Sequence, residues 1–188
     1  MEEYTDLQAP FEKIDAISTA LGVPDAGAAL KTDVQAEVDS AEALAETATS
    51  EPRVLFIYIR GTTTMLIGGA GSGADTLITA AGGIDAGTEA GVQGYAPVTA
   101  EALVAAAPDV ILVMDGGLQS IGGIDGFMEI PGVASTPAGE NGAILSFDDQ
   151  YLLGLGPRLG EMLTDLTYGI HPELERPAGT PEATPGVA

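Results

Sequence analysis

The stretch Arg53-Val54-Leu55-Phe56-Ile57-Tyr58-Ile59-Arg60 ends in the two side chains of this sequence best placed to do chemistry. Tyr58 and Arg60 are two residues apart, and on an extended chain that spacing turns both to one side. A guanidinium beside a phenol favours the phenolate, and a phenolate is a ligand for a ferric ion in an axial position. The same tyrosine also suits a plain core role, with its ring buried and its hydroxyl at the rim. Arginine is scarce enough to make its placement informative: the chain has only six Lys and Arg residues.

Ligands of parallel α/β sheets gather at the carboxyl ends of strands. That rule adds Met114 and Asp115 after "VILVM", and Asp148, Asp149 and Tyr151 after "AILSF". The adjacent acids Asp148 and Asp149 read as a solvated pair in a chain this acidic. Gly69-x-Gly71-x-x-Ala74 nominally fits a dinucleotide fingerprint, with a pyrophosphate on the following helix and Asp85 or Glu89 on the ribose. The segment before it, Met65-Leu66-Ile67, is too short for a central strand, which favours a plain glycine loop. His171, the one histidine, stands in "GIHPEL", where an imidazolium at the end of a helix complements its dipole.

The elements that position these residues follow from periodicity. Phe11, Ile14, Ile17 and Leu21 predict a helix over 8–22, stopped by Gly22 and Pro24. Leu30, Val34, Val38 and Leu44 form a thin apolar stripe on a long acidic helix over 25–49. Such a helix is expected to lie across a surface or between two lobes. From Pro52 onward strands and helices alternate: strand 53–59, apolar segment 65–67, helices 72–81 and 99–107, strand 109–114, a broken helical stretch 117–130, strand 143–147 and helix 157–170. Short all-apolar strands between helices predict a mostly parallel sheet covered on both faces, an α/β fold. The last residues, "ERPAGTPEATPGVA", have no apolar period and read as a flexible tail.

Composition narrows the function classes. The formal net charge is −22, from 28 acids spread along the chain, so nucleic acid and anionic membranes are poor partners. Even acidity with few lysines suits a surface adapted to high salt, where charge repulsion is screened. There are no cysteines, which excludes disulfides and thiolate metal sites, and one histidine excludes a multi-histidine metal cage. With no credible nucleophile constellation, binding is a better expectation than catalysis. No run reaches the ~18 apolar residues of a membrane span, and the N-terminus, Met1-Glu2-Glu3-Tyr4, lacks the pattern of a signal peptide.

Longer stretches carry a family resemblance. "VPDAGAALKTDVQAEVDSAEA", "RVLFIYIRGTTTMLIGGAGSGADTLITAAGGIDA", "GYAPVTAEALVAAAPDVILVM", "GGIDGFMEIPGV" and "LLGLGPRLGEMLTDLTYGIHPEL" resemble the C-terminal half of a haem-binding substrate-binding protein of an ABC importer. The wider group resembled is the class III periplasmic-binding-protein family, whose other members take cobalamin or ferric siderophores. The resemblance implies two α/β lobes joined by a long rigid helix, with ligand held between them. Residues 1–24 then correspond to a remnant of the N-terminal lobe, 25–50 to the connecting helix, 51–174 to a Rossmann-like C-terminal lobe, and 175–188 to the tail. The N-terminal lobe of the family is expected to be missing from this chain.

For the site, the resemblance implies haem b as transported ligand, Tyr58 as its axial ligand and Arg60 as the electrostatic partner of Tyr58. Tyr95 and Tyr151 are expected on loops facing the ligand, with their rings against the porphyrin. The family's second axial histidine belongs to the N-terminal lobe, and His171 does not match it. The acid by which cobalamin-binding relatives dock on their transporter corresponds to Leu153 here, so no docking acid is assigned. The resemblance further implies an ABC permease dimer as partner and an extracytoplasmic location.

Overall fold

The structure is a computed structural model that describes residues 7–176. Two helices, α1 (Ala9–Ala20) and α2 (Pro24–Ala45), precede a six-stranded sheet. The strands are β1 (Arg53–Arg60), β2 (Thr64–Gly68), β3 (Ile84–Asp85), β4 (Tyr95–Pro97), β5 (Val110–Met114) and β6 (Ile144–Phe147). Eight further helices cover the sheet: α3 (Ala74–Ala80), α4 (Ala86–Glu89), α5 (Ala100–Ala106), α6 (Asp115–Gln119), α7 (Gly123–Met128), α8 (Pro137–Asn141), α9 (Asp149–Leu153) and α10 (Leu159–Ile170).

The expected alternation is present, and the sheet is mixed. Its order is β4-β2-β1-β5-β6, with β3 beside the start of β1. β1, β3, β4, β5 and β6 run in one direction, and β2 runs the other way, pairing antiparallel with β1 on one side and with β4 on the other. Only Gly61, Thr62 and Thr63 separate β1 from β2, too few for the crossover that a parallel pair needs, and Gly61 takes the left-handed φ of +60° that closes the turn.

Alternation along β1 divides the core in two. Val54 and Phe56 face a cluster with α1, α2, α3 and α10, and Leu55, Ile57 and Ile59 face a second cluster with α5 to α8. β5 is buried along its whole length, which is why "VILVM" is apolar without alternation.

α2 runs 22 residues, about 33 Å at 1.5 Å per residue. Its buried stripe is Gly27, Val34, Val38, Ala41 and Ala45, shifted from the expected one: Leu30 is exposed. The stripe packs on α10, and the backbones come close at Gly160, where a Cβ would lie 2.7 Å from the Glu37 carbonyl carbon. α1 buries Phe11 and Ile14 but leaves Ile17 and Leu21 exposed beside a groove of about 280 Å³ bounded by α1, the start of α2 and residues 155–157.

His171 ends α10 as expected, but it is wholly buried and works as a fastening. Its Nε2 lies 3.0 Å from the Ala81 carbonyl, which can only accept, so that nitrogen carries a proton. Its Nδ1 lies 3.2 Å from the Ser50 hydroxyl, which donates to Glu173 at 2.6 Å. The exit of α2, the end of α3 and the end of α10 are thereby tied together. The tail expected from residue 175 lies outside the described residues from 177 onward, while Arg176 is held by Asp165 at 2.9 Å and stacks over the Tyr168 ring.

Candidate functional site

β1 outruns its parallel neighbour. Its pairing with β5 ends at Ile57 opposite Val113, and beyond it Tyr58, Ile59 and Arg60 pair with β2 alone. On the far face α6 closes over this end: a Cβ at Gly117 would lie 2.8 Å from the Ile59 carbonyl oxygen, so only glycine admits the contact. The amide of Gly61 donates to the Ser120 hydroxyl at 2.9 Å, and Ser120 donates in turn to the Gly117 carbonyl at 2.6 Å. The strand end that carries Tyr58 is thus held by α6 on its far face and by β2 along one edge.

Register sets what surrounds Tyr58. In antiparallel pairs the residues directly opposite each other share a face. Tyr58 lies opposite Leu66, which lies opposite Pro97, and one row inward Gly68 lies opposite Tyr95. Arg60 lies opposite Thr64 one row outward. The result is a shelf three strands wide, apolar across Tyr58, Leu66 and Pro97 and polar at the hairpin end. Gly68 leaves the inner row without a side chain between Phe56 and Tyr95, and the Tyr95 ring meets the Tyr58 ring edge to face with centroids 6.2 Å apart. Tyr95 also donates its hydroxyl to the Ser72 carbonyl at 3.0 Å. Partial desolvation of its hydroxyl end above all, helped by the nearby Tyr58 and Asp75, pushes the Tyr95 phenol above its ordinary range, although the residue is 42% exposed.

The structure brings together Tyr58, Arg60 and Tyr95, with Tyr95 on β4 instead of a loop. Tyr151 is placed differently. It sits in α9, donates its hydroxyl to Asp165 on α10 at 2.8 Å, tilts against Phe147 and has the Arg158 guanidinium 4.8 Å over its ring. Burial and the bond to Asp165 raise its ionisation well above the ordinary phenol range. Asp148 and Asp149 are exposed but not merely solvated: Asp148 accepts from the amides of Gln150 and Tyr151 at the start of α9, and Asp149 accepts from the amide of Gly116.

The glycine loop is no dinucleotide cradle. It follows an antiparallel strand, and the amides of Gly71 and Gly73 already donate to the Asp75 carboxylate at 2.8 and 3.0 Å, where a phosphate would have to sit. Asp85 caps α4 and Glu89 pairs with Arg53, so neither is offered to a ribose. Among the described residues no group of three or more His, Cys, Asp or Glu is placed to hold a metal ion. Sequence reasoning missed Thr64, Leu66 and Pro97, which join the site only through the register of β2 and β4.

Comparison with known proteins agrees with this architecture. The periplasmic heme-binding protein RhuT from Roseiflexus sp. RS-1, in apo form, is 46% identical with a TM-score of 0.88, over 89% of this chain and 64% of its own. The periplasmic heme-binding protein BhuT, in complex with two hemes, is 37% identical with a TM-score of 0.83, over 90% of this chain and 64% of its own. The heme-binding protein HmuT is 35% identical with a TM-score of 0.83, over 91% of this chain and 56% of its own. The chain therefore spans less than two thirds of the length of these relatives. Similar HmuT structures include alanine variants of a tyrosine and of the arginine two positions after it, the spacing of Tyr58 and Arg60. No curated protein matches the chain. The profile of the periplasmic binding protein family matches residues 4–151, and the chain belongs to that family.

Proposed function

We propose that this chain provides the iron-ligating lobe of a haem-binding substrate-binding protein that delivers haem, outside the cytoplasm, to an ABC importer. The observation that carries the reading is Tyr58 on a clamped strand end, edge-on to Tyr95 and on the same face as Arg60, in a chain similar to three heme-binding proteins. Those relatives favour haem over cobalamin or a ferric siderophore.

In this reading the Tyr58 oxygen binds the ferric ion as phenolate. Arg60 stands beside it on the same face, while Tyr95, whose hydroxyl donates to the Ser72 carbonyl, serves as a wall. The apolar part of the shelf, Leu66 and Pro97, takes the flat face of the porphyrin. Tyr151 has a supporting part, because its hydroxyl is committed to Asp165. The permease dimer is the partner that receives the ligand, and binding is the activity, without catalysis.

Titration with hemin tests this. The wild-type chain is expected to develop a Soret band of a tyrosinate-ligated ferric haem, and Tyr58→Phe to lose that ligation while keeping its fold by circular dichroism. A wild-type chain with no spectral change on adding hemin would sink the assignment.

A further inference from the structure

The chain has six basic residues, and five are engaged. Lys13 reaches the Gly154 carbonyl, Lys31 pairs with Asp15, Arg53 holds the Ala106 carbonyl and Glu89, Arg158 lies over Tyr151, and Arg176 pairs with Asp165. Arg60 is exposed and, among the described residues, its guanidinium has no hydrogen-bond or ion-pair partner, although the chain carries 28 acids. The half-buried Thr64 stands directly opposite it in the β1–β2 hairpin, and its hydroxyl likewise has no partner among the described residues. Directly opposite residues of an antiparallel pair hold their Cβ atoms about 4.5–5.5 Å apart, so the guanidinium and the hydroxyl spring from neighbouring points on one face at the rim of the shelf, within reach of one small anionic group.

We propose that Arg60 and Thr64 form a subsite for a carboxylate on the edge of the planar ligand. The inference rests on the haem reading and goes beyond the pairing of Arg60 with Tyr58. Two residues along an extended strand span about 6.6 Å, so a porphyrin centred on the Tyr58 oxygen brings its rim, not its metal, to Arg60. Haem carries its propionate carboxylates on that rim. Arg60 has five N–H donors, so contact with a phenolate leaves others for a carboxylate, and Thr64 adds a sixth donor from the neighbouring strand. Elsewhere the surface repels such a group, since the chain bears a net charge of −22. The pair thereby fixes the in-plane rotation of the ligand as well as its affinity.

The test compares hemin with its dimethyl ester, in which both carboxylates are masked, on the wild-type chain, Arg60→Gln and Thr64→Val. Wild type is expected to bind hemin about tenfold more tightly than the ester, the size of one charge-assisted hydrogen bond. Arg60→Gln should bind the two alike, and Thr64→Val should narrow the gap without moving the Soret band. Equal binding of both ligands by wild type, or an equal weakening of both by Arg60→Gln, overturns the subsite while leaving the haem reading intact. Failure of wild type to bind either ligand overturns both.

Discussion

Tyr95 meets Tyr58 edge to face, 6.2 Å between ring centroids, and is itself pinned at its far end by the Ser72 carbonyl. A ring fixed in this way limits the arc through which the Tyr58 ring swings. Edge-to-face pairs contribute about 0.5–1.5 kcal/mol beyond their buried area. Tyr95→Ala should therefore weaken hemin binding about tenfold in a spectroscopic titration. Tyr95→Phe keeps the ring, loses only the bond to Ser72, and should lose no more than about threefold.

Tyr151 separates a supporting from a contacting role. Tyr151→Phe removes the donor to Asp165, leaving that half-paired acid with Arg176. A loss of about 1.5–3 kcal/mol in urea unfolding is expected, as for other hydrogen bonds to charged groups. Hemin affinity should stay within about twofold, measured by the same titration, since the hydroxyl points to α10 and not to the shelf.

Glu173 gives the chain a readable acid limb. Its carboxyl is held down to about 2, foremost by the Ser50 hydroxyl and further by backbone amides, against an ordinary value of 4.5. A depressed folded-state value means stability that is present above 4.5 and lost as pH falls through about 2. Glu173→Gln should lower the thermal midpoint at neutral pH and flatten its fall between these two values, as followed by calorimetry across the acid range.

At the crossing of α10 over α2, a methyl group at Gly160 would lie 2.7 Å from the Glu37 carbonyl carbon and 2.9 Å from the Val38 amide nitrogen. These are backbone atoms and cannot rotate away. Gly160→Ala is expected to cost about 1–3 kcal/mol, seen as a lower urea midpoint with an unchanged slope.

Much of this fold was legible because its main elements are long or uniformly apolar. Strand β1, strand β5 and helix α10 fall within one or two residues of expectation, since "VLFIYI", "VILVM" and the stripe of α10 admit few alternatives. The elements that were not foreseen, β3, β4, α4, α8 and α9, have two to five residues each, too few to show a period. The direction of β2 escaped because alternation reports faces and not strand orientation; Gly61 in a three-residue turn was the available signal. That Tyr58 and Arg60 share one face of β1 was legible from spacing alone, but the neighbours Thr64, Leu66 and Pro97 enter through register, which two-residue periodicity leaves open. Tyr151 was expected on a loop and lies in α9, and its hydroxyl bond to Asp165, 14 residues on, had no signal in the strand-end position. For His171 the helix-end position was right, but Ser50 and Ala81, its actual partners, are 121 and 90 residues away.

The clamp that Gly117 and Ser120 place on the end of β1 has a consequence in time. A strand end locked by α6 on one face and by β2 along one edge presents the same phenol before and after capture, so no refolding step stands between encounter and coordination on this lobe. Association should then proceed in a single exponential phase whose rate rises linearly with hemin concentration, and differences in affinity among shelf variants should reside in how slowly the ligand leaves.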